Sequence, residues 1–115
     1  MKNTTHNMTL KQPYFDYIDQ GLKTIELRLY DGKRSLIRPG DHIVFQNGDK
    51  FLEVNVKGLI RAESFDSLFD IIDVKKTGLD NRDNAIKIME QFYDKEAQGK
   101  FGVVGIVVEK GVDNA

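Results

Sequence analysis

The residues best equipped for chemistry lie in one short stretch: Lys23, Thr24, Glu26, Arg28 and Tyr30, just after Gly21. Apolar Ile25, Leu27 and Leu29 alternate with Thr24, Glu26, Arg28 and Tyr30. A period of two is the pattern of a strand with one apolar and one polar face. The polar face gathers a hydroxyl, a carboxylate, a guanidinium and a phenol, and a strand fixes such groups better than a loop does. Lys23 has the opposite parity, so it must join them from the corner before the strand, where Gly21 gives the chain freedom to turn. Glu26 and Arg28 are spaced to hold each other, leaving Lys23 and part of the guanidinium for an anionic or hydrogen-bonding ligand. A carboxylate beside a lysine can also shift both pKa values and serve acid–base catalysis. The same residues would equally make an ordinary solvated strand face with a cross-strand ion pair.

Weaker candidates surround this stretch. Lys33, Arg34 and Arg38 border a loop that could clamp a phosphate backbone, or simply face solvent. Tyr14, Tyr17, Tyr30, Phe65 and Tyr93 could stack on a base, although Tyr14 and Tyr93 also fall on helical stripes, where core packing is the default use. His6 and His42 are the only histidines, and they share no metal-ligand spacing. Asp80, Asn81 and Asp83 lack the Gly and Glu that a calcium loop requires, and they read as the polar start of a helix. No metal and no cofactor is expected.

These residues need elements to hold them. Pro13 suits a first helical turn, and Tyr14, Phe15, Tyr17 and Ile18 form a short apolar stripe, so a helix is expected over roughly 12–20, closed by Gly21. It feeds directly into the strand over 23–30. A short strand is expected at Met8-Thr9-Leu10, with Met1–Asn7 frayed. Two strands, His42–Gln46 and Phe51–Ile60, flank an Asn47-Gly48-Asp49 hairpin turn, and Gly58 marks a bulge or bend. Ser64 caps a helix at Phe65. The pattern Ala85, Ile88, Met89, Phe92, Tyr93 predicts one long helix over 81–98, ended by Gly99. Phe101–Glu109 is apolar at nearly every position, as expected of a strand covered on both faces, and Gly111–Ala115 reads as a tail. The resulting class is α+β: about five mostly antiparallel strands in a small, partly closed barrel, with about three helices.

The 115 residues fit one domain, taken as 1–115 with its core over about 8–110. There is no cysteine, so disulfides and thiolate metal sites are excluded. That, with no signal-peptide pattern, reads as cytoplasmic. The longest apolar runs are too short to span a bilayer, so no membrane partner is expected. The net charge is −1, with 17 basic and 18 acidic residues, which argues against a binder resting on a broad basic patch. A compact basic cleft remains possible, because Lys23, Arg28, Lys33, Arg34 and Arg38 cluster with only Glu26 and Asp31 among them.

Several short patterns, in order, resemble a known family. Gly21-x-Lys23-x-x-Glu26-x-Arg28 is similar to the signature of the ASCH domain of the PUA-like superfamily. Pro39-Gly40-Asp41-x-Ile43-x-Phe45 resembles the family's "GD-x-I-x-F" strand, and Ser64-Phe65-Asp66-Ser67-Leu68 its "SF-x-x-L" helix start. Tyr93 with Gly102-Val103-Val104-Gly105-Ile106 resembles its closing helix and "G-V-x-x-I" strand. The matches cover roughly residues 10–108. The resemblance implies a PUA-like β-barrel with a cleft beside the first helix–strand corner, lined by Lys23, Glu26 and Arg28 with Thr24 adjacent, that takes RNA or a modified nucleoside.

Some small bacterial relatives resemble N4-acetylcytidine amidohydrolases, whose site uses a lysine, a threonine and a glutamate. Lys23 matches, but the threonine position falls on Glu26 and the glutamate position near Lys76, with Asp70 and Asp73 the nearest carboxylates. Other relatives are ribonucleases. The first expectation is therefore a binding module, acting as a monomer, that holds RNA or a nucleoside or nucleotide through Lys23, Thr24, Glu26, Arg28, Tyr30, Arg34, Phe65 and Tyr93. The alternative is a hydrolase acting on a modified nucleoside or on RNA, with Lys23 and Glu26 as the catalytic groups.

Overall fold

The computed structural model describes residues 3–111. Five strands form one sheet: β1 (Thr5–Thr9), β2 (Ile25–Leu29), β3 (His42–Asn47), β4 (Lys50–Ala62) and β5 (Val103–Lys110). Their spatial order is β1-β3-β4-β5-β2. Only the β1–β3 pair is parallel. The sheet curls into a half-barrel whose two edges are β1 and β2. The expected bulge is present: the β4–β5 register shifts between Val56 and Gly58, which lets the long β4 bend with the curl.

Strand periodicity explains the two sides of the sheet. Val104, Ile106 and Val108 of β5 join Ile43, Phe45, Val54 and Val56 in one core, which α1 (Tyr14–Asp19) covers with Phe15 and Ile18. Val103 joins Ile25, Leu27 and Leu29 in a second core on the opposite face. That core is covered by α2 (Phe65–Leu68), with Phe65 and Leu68, and by α3 (Arg82–Phe92), with Ala85 and Met89. β5 is thus sandwiched, as its unbroken apolar run predicts.

Three expectations need correction. The expected long helix is two: α3 ends at Phe92, and α4 (Lys95–Phe101) begins after Asp94, whose carboxylate accepts from the Ala97 N–H. An N-cap in extended conformation interrupts the helical backbone whatever the apolar stripe favours. Among the described residues the α-helices therefore number four. Gly99 lies inside α4, and the helix ends instead at Gly102, whose φ of +72° favours glycine. Finally, β1 begins at Thr5, inside the segment expected to fray. The buried Asp41 carboxylate ties this strand down by accepting from the Thr4 N–H at 3.1 Å and pairing with His6 Nε2 at 2.8 Å. The expected tail over 111–115 falls outside the described residues beyond Gly111. Among the described residues, no helix is long and apolar enough to cross a membrane.

Candidate functional site

Gly21, at φ +80°, reverses the chain after α1, and the Leu22 and Lys23 N–H groups both donate to Tyr17 O. The Lys23 side chain then folds back along β2. Its ammonium donates to Ile25 O at 2.9 Å and Thr77 O at 2.7 Å, and pairs with Glu26 Oε1 at 3.1 Å. An ammonium has three N–H donors, so all three have partners. The Tyr14 ring lies 5.6 Å from the same nitrogen. Glu26 Oε2 accepts from Arg28 Nε at 2.8 Å and pairs with Arg28 Nη2 at 2.8 Å. Arg28 Nη2 also donates to Thr9 O at 2.7 Å, so the guanidinium bridges the two edges of the half-barrel, β2 to β1. Arg28 Nη1 has no protein partner among the described residues.

The triad is deeply set, with Lys23 4% and Glu26 5% exposed, which excludes the reading of this face as ordinary solvated strand. Burial pushes the Glu26 carboxyl up, but the adjacent Lys23 and Arg28 charges outweigh it and hold the pKa below the usual glutamate value. Burial pulls Lys23 below the usual lysine value, against the opposing pull of Glu26. With Glu26 ionised between two cations, the group carries one net positive charge in a low-dielectric setting, where unscreened charge is felt strongly.

A cleft of about 190 Å³ opens onto this triad. Thr9, Leu10 and Lys11 form its β1 side, Leu79, Ile88 and Met89 its floor, and Phe92 and Tyr93 its aromatic wall. Phe92 is 55% exposed, unusual for a phenylalanine, and the Lys11 ammonium sits 5.4 Å from its ring. Phe65 backs Tyr93 at 6.0 Å between ring centroids.

Of the residues singled out in the sequence, Tyr14, Lys23, Glu26, Arg28 and Tyr93 converge on the cleft; the others lie elsewhere. Thr24 is engaged through its backbone, with its N–H donating to Lys76 O and its O accepting from Val108 N. The Tyr30 ring lies against the Arg61 guanidinium at 3.9 Å. Arg34 pairs with Asp31 at 3.2 Å. Phe65 is fully buried, and packs where no base can reach it. Tyr30 and Arg34 are close to the triad in sequence but follow the end of β2, which carries them away from it. Lys23 also differs from expectation, since no donor remains on it for a ligand. Asp70 pairs with Arg82 at 2.7 Å, and Asp73 accepts from the Lys75 N–H, so neither enters the cleft. Asn81 caps α3, as its neighbours suggest.

Sequence reasoning missed Lys11 and Thr9 altogether, and read Phe92 and Met89 only as core. The available signal was the width of the α3 stripe, since Ala85, Ile88, Met89, Phe92 and Tyr93 exceed what one short helix buries. Among the described residues, no group of three or more His, Cys, Asp or Glu side chains is arranged to hold a metal ion.

The model of the ASCH domain family matches residues 8–111. The chain is similar to the crystal structure of hypothetical protein PH0355, with 38% identity and a TM-score of 0.86 over 93% of this chain and 99% of that one. It is also similar to the solution structure of protein PF0455 from Pyrococcus furiosus, with 34% identity and a TM-score of 0.75 over 92% and 96%. A variant of ZmASCH from Zymomonas mobilis shares the fold at 11% identity, with a TM-score of 0.68 over 92% of this chain and 68% of that one. A comparison with curated proteins gave no significant match.

Proposed function

We propose that this chain, which belongs to the ASCH domain family, is a binding module that holds one nucleotide unit, free or within single-stranded RNA, in the cleft beside β2. The family's PUA-like fold is often linked to RNA binding, which agrees with this reading. The observation that carries it is the saturation of the triad. Lys23 has all three donors engaged, and both Glu26 oxygens are held by cations. A general base must be free to take a proton and a nucleophile free to attack. Glu26 is the only carboxylate among the described residues lining the cleft, and the cleft has no histidine.

What remains available suits binding. Arg28 Nη1 offers two N–H donors, the local charge is positive, and Phe92 with Tyr93 presents aromatic surface on which a base can stack. The small size of the cleft and the near-neutral chain favour a nucleoside, a nucleotide or a short single strand over a long duplex.

The test is a thermal-shift and mass-spectrometry screen against nucleosides, acetylated cytidine included, nucleotides and short RNA oligomers. A ligand that stabilises the protein and is recovered unchanged supports the proposal, provided that Phe92→Ala weakens the shift. A converted substrate, with conversion lost in Lys23→Ala, would make the chain a hydrolase. No shift with any member would overturn the nucleotide reading.

A further inference from the structure

The cleft lies against the free edge of β2. It is lined by Glu26 and Arg28 from one face of the strand and by Leu27 from the other, and both faces meet only at the edge. The hydrogen-bonding parity of β2 follows from its flanks, where Val108 N donates to Thr24 O and Tyr30 N donates to Gly102 O. With the register Ile25↔Val107 to Leu29↔Val103, the even-numbered residues bond β5 and the odd-numbered ones point their N–H and C=O away from it. Ile25 O is capped by the Lys23 ammonium. Across the seam, Thr9 O is capped by Arg28. Leu27, midway between, has no hydrogen-bond partner for either backbone group among the described residues, yet it is only 4% exposed. Backbone polar groups so placed are nearly always paired.

We propose that Leu27 reads the hydrogen-bonding edge of an unpaired nucleobase with its own N–H and C=O, while Arg28 Nη1 supplies a further donor beside them. This rests on the nucleotide-binding reading above and names the recognition it uses. An N–H and a C=O projecting side by side from one extended residue complement an adjacent acceptor and donor, which every base carries on its Watson–Crick edge. Strand edges also attract extended peptides, but about 190 Å³ is below the roughly 300–1,000 Å³ of pockets for drug-sized ligands. One heterocycle fits that scale; a peptide strand does not. Phe92 and Tyr93 would then cover the ring's face while the strand takes its edge. A base already paired in a duplex has its edge occupied, so the site selects single strands or free nucleotides.

The experiment titrates the full chain, labelled for amide NMR, with the four nucleoside monophosphates and with counterparts methylated on the Watson–Crick edge without a change of charge. At least one unmodified nucleotide is expected to move the Leu27 amide resonance, and edge methylation is expected to weaken its binding roughly tenfold or more, as for loss of paired hydrogen bonds that leaves buried partners unsatisfied. Equal affinity for methylated and unmodified forms would overturn the edge reading while leaving the cleft as a stacking site. A stationary Leu27 amide during saturable binding would do the same. If no nucleotide binds, both this inference and the binding-module reading fail.

Discussion

Replacing Glu26 with Gln tests whether the triad is the tight electrostatic unit its distances describe. The substitution keeps the shape of the side chain and removes its charge. The buried Lys23 and the partly buried Arg28 are then left without their shared counter-charge. Removing one partner of a buried pair costs about 3–5 kcal/mol, because the remaining charge stays desolvated without compensation. Glu26 contacts both cations at 3.1 Å or less, so the upper half of that range applies unless Lys23 gives up its proton. Its lowered pKa favours that release, which would move the cost toward the lower half. Unfolding entropy is about 2.1 cal/mol/K per residue, so in a 115-residue chain a loss of this size lowers Tm by roughly 12–20 °C. Urea unfolding gives the free energy directly, with the m-value checked for constancy. The double variant Lys23→Met/Glu26→Gln should lose clearly less than the sum of the single variants, since both partners then go together. A loss below about 1 kcal/mol for Glu26→Gln, the range of exposed pairs, would refute the reasoning.

Other predictions concern separate parts of the molecule. Glu26 and Asp41 are both held below the usual carboxylate range. For Asp41 the His6 hydrogen bond is the main cause, opposed by burial and aided by the Thr4 and Arg38 N–H groups. Each binds its proton less readily native than unfolded, so its stabilisation is complete above about pH 5 and disappears as pH falls through the native values. Urea midpoints should change little from pH 7 to about pH 5 on this account and then fall toward pH 3, and Asp41→Asn should flatten the decline; a midpoint rising below pH 5 would contradict the assignment. Gly102→Ala should cost about 1–3 kcal/mol, because φ +72° is strained for alanine and its Cβ would sit 3.2 Å from Ala62 O. Gly99→Ala, inside α4 with open space around it, should instead stabilise by about 0.5–1 kcal/mol; equal effects at the two glycines, read by thermal melts, would be inconsistent with both. Phe92→Ala should change stability by less than about 1 kcal/mol, since the ring is 55% exposed, yet reduce nucleotide affinity by the ~1–3 kcal/mol of a lost stacking partner.

By itself, the sequence determined the local grammar of this protein. Period-two alternation marked β2, the Asn47-Gly48-Asp49 turn marked the hairpin of β3 and β4, the unbroken apolar run marked β5 as central, and Ser64 and Asn81 marked helix starts. It also supplied the Glu26–Arg28 pair, because residues two apart on a strand share a face. The tertiary structure decided everything that depends on segments meeting. Lys23 lost its freedom to a carbonyl 54 residues away, at Thr77. Tyr93 reached the cleft while Tyr30, far closer in sequence, did not. Phe92 turned from core residue to wall because Asp94 ended the helix there. The unpaired edge of Leu27 was equally out of reach, since a strand's own pattern says which face is apolar but not which edge the sheet leaves open. Side-chain spacing encodes direction within an element, whereas partners across the fold are set by how the sheet curls and where its ends come to rest.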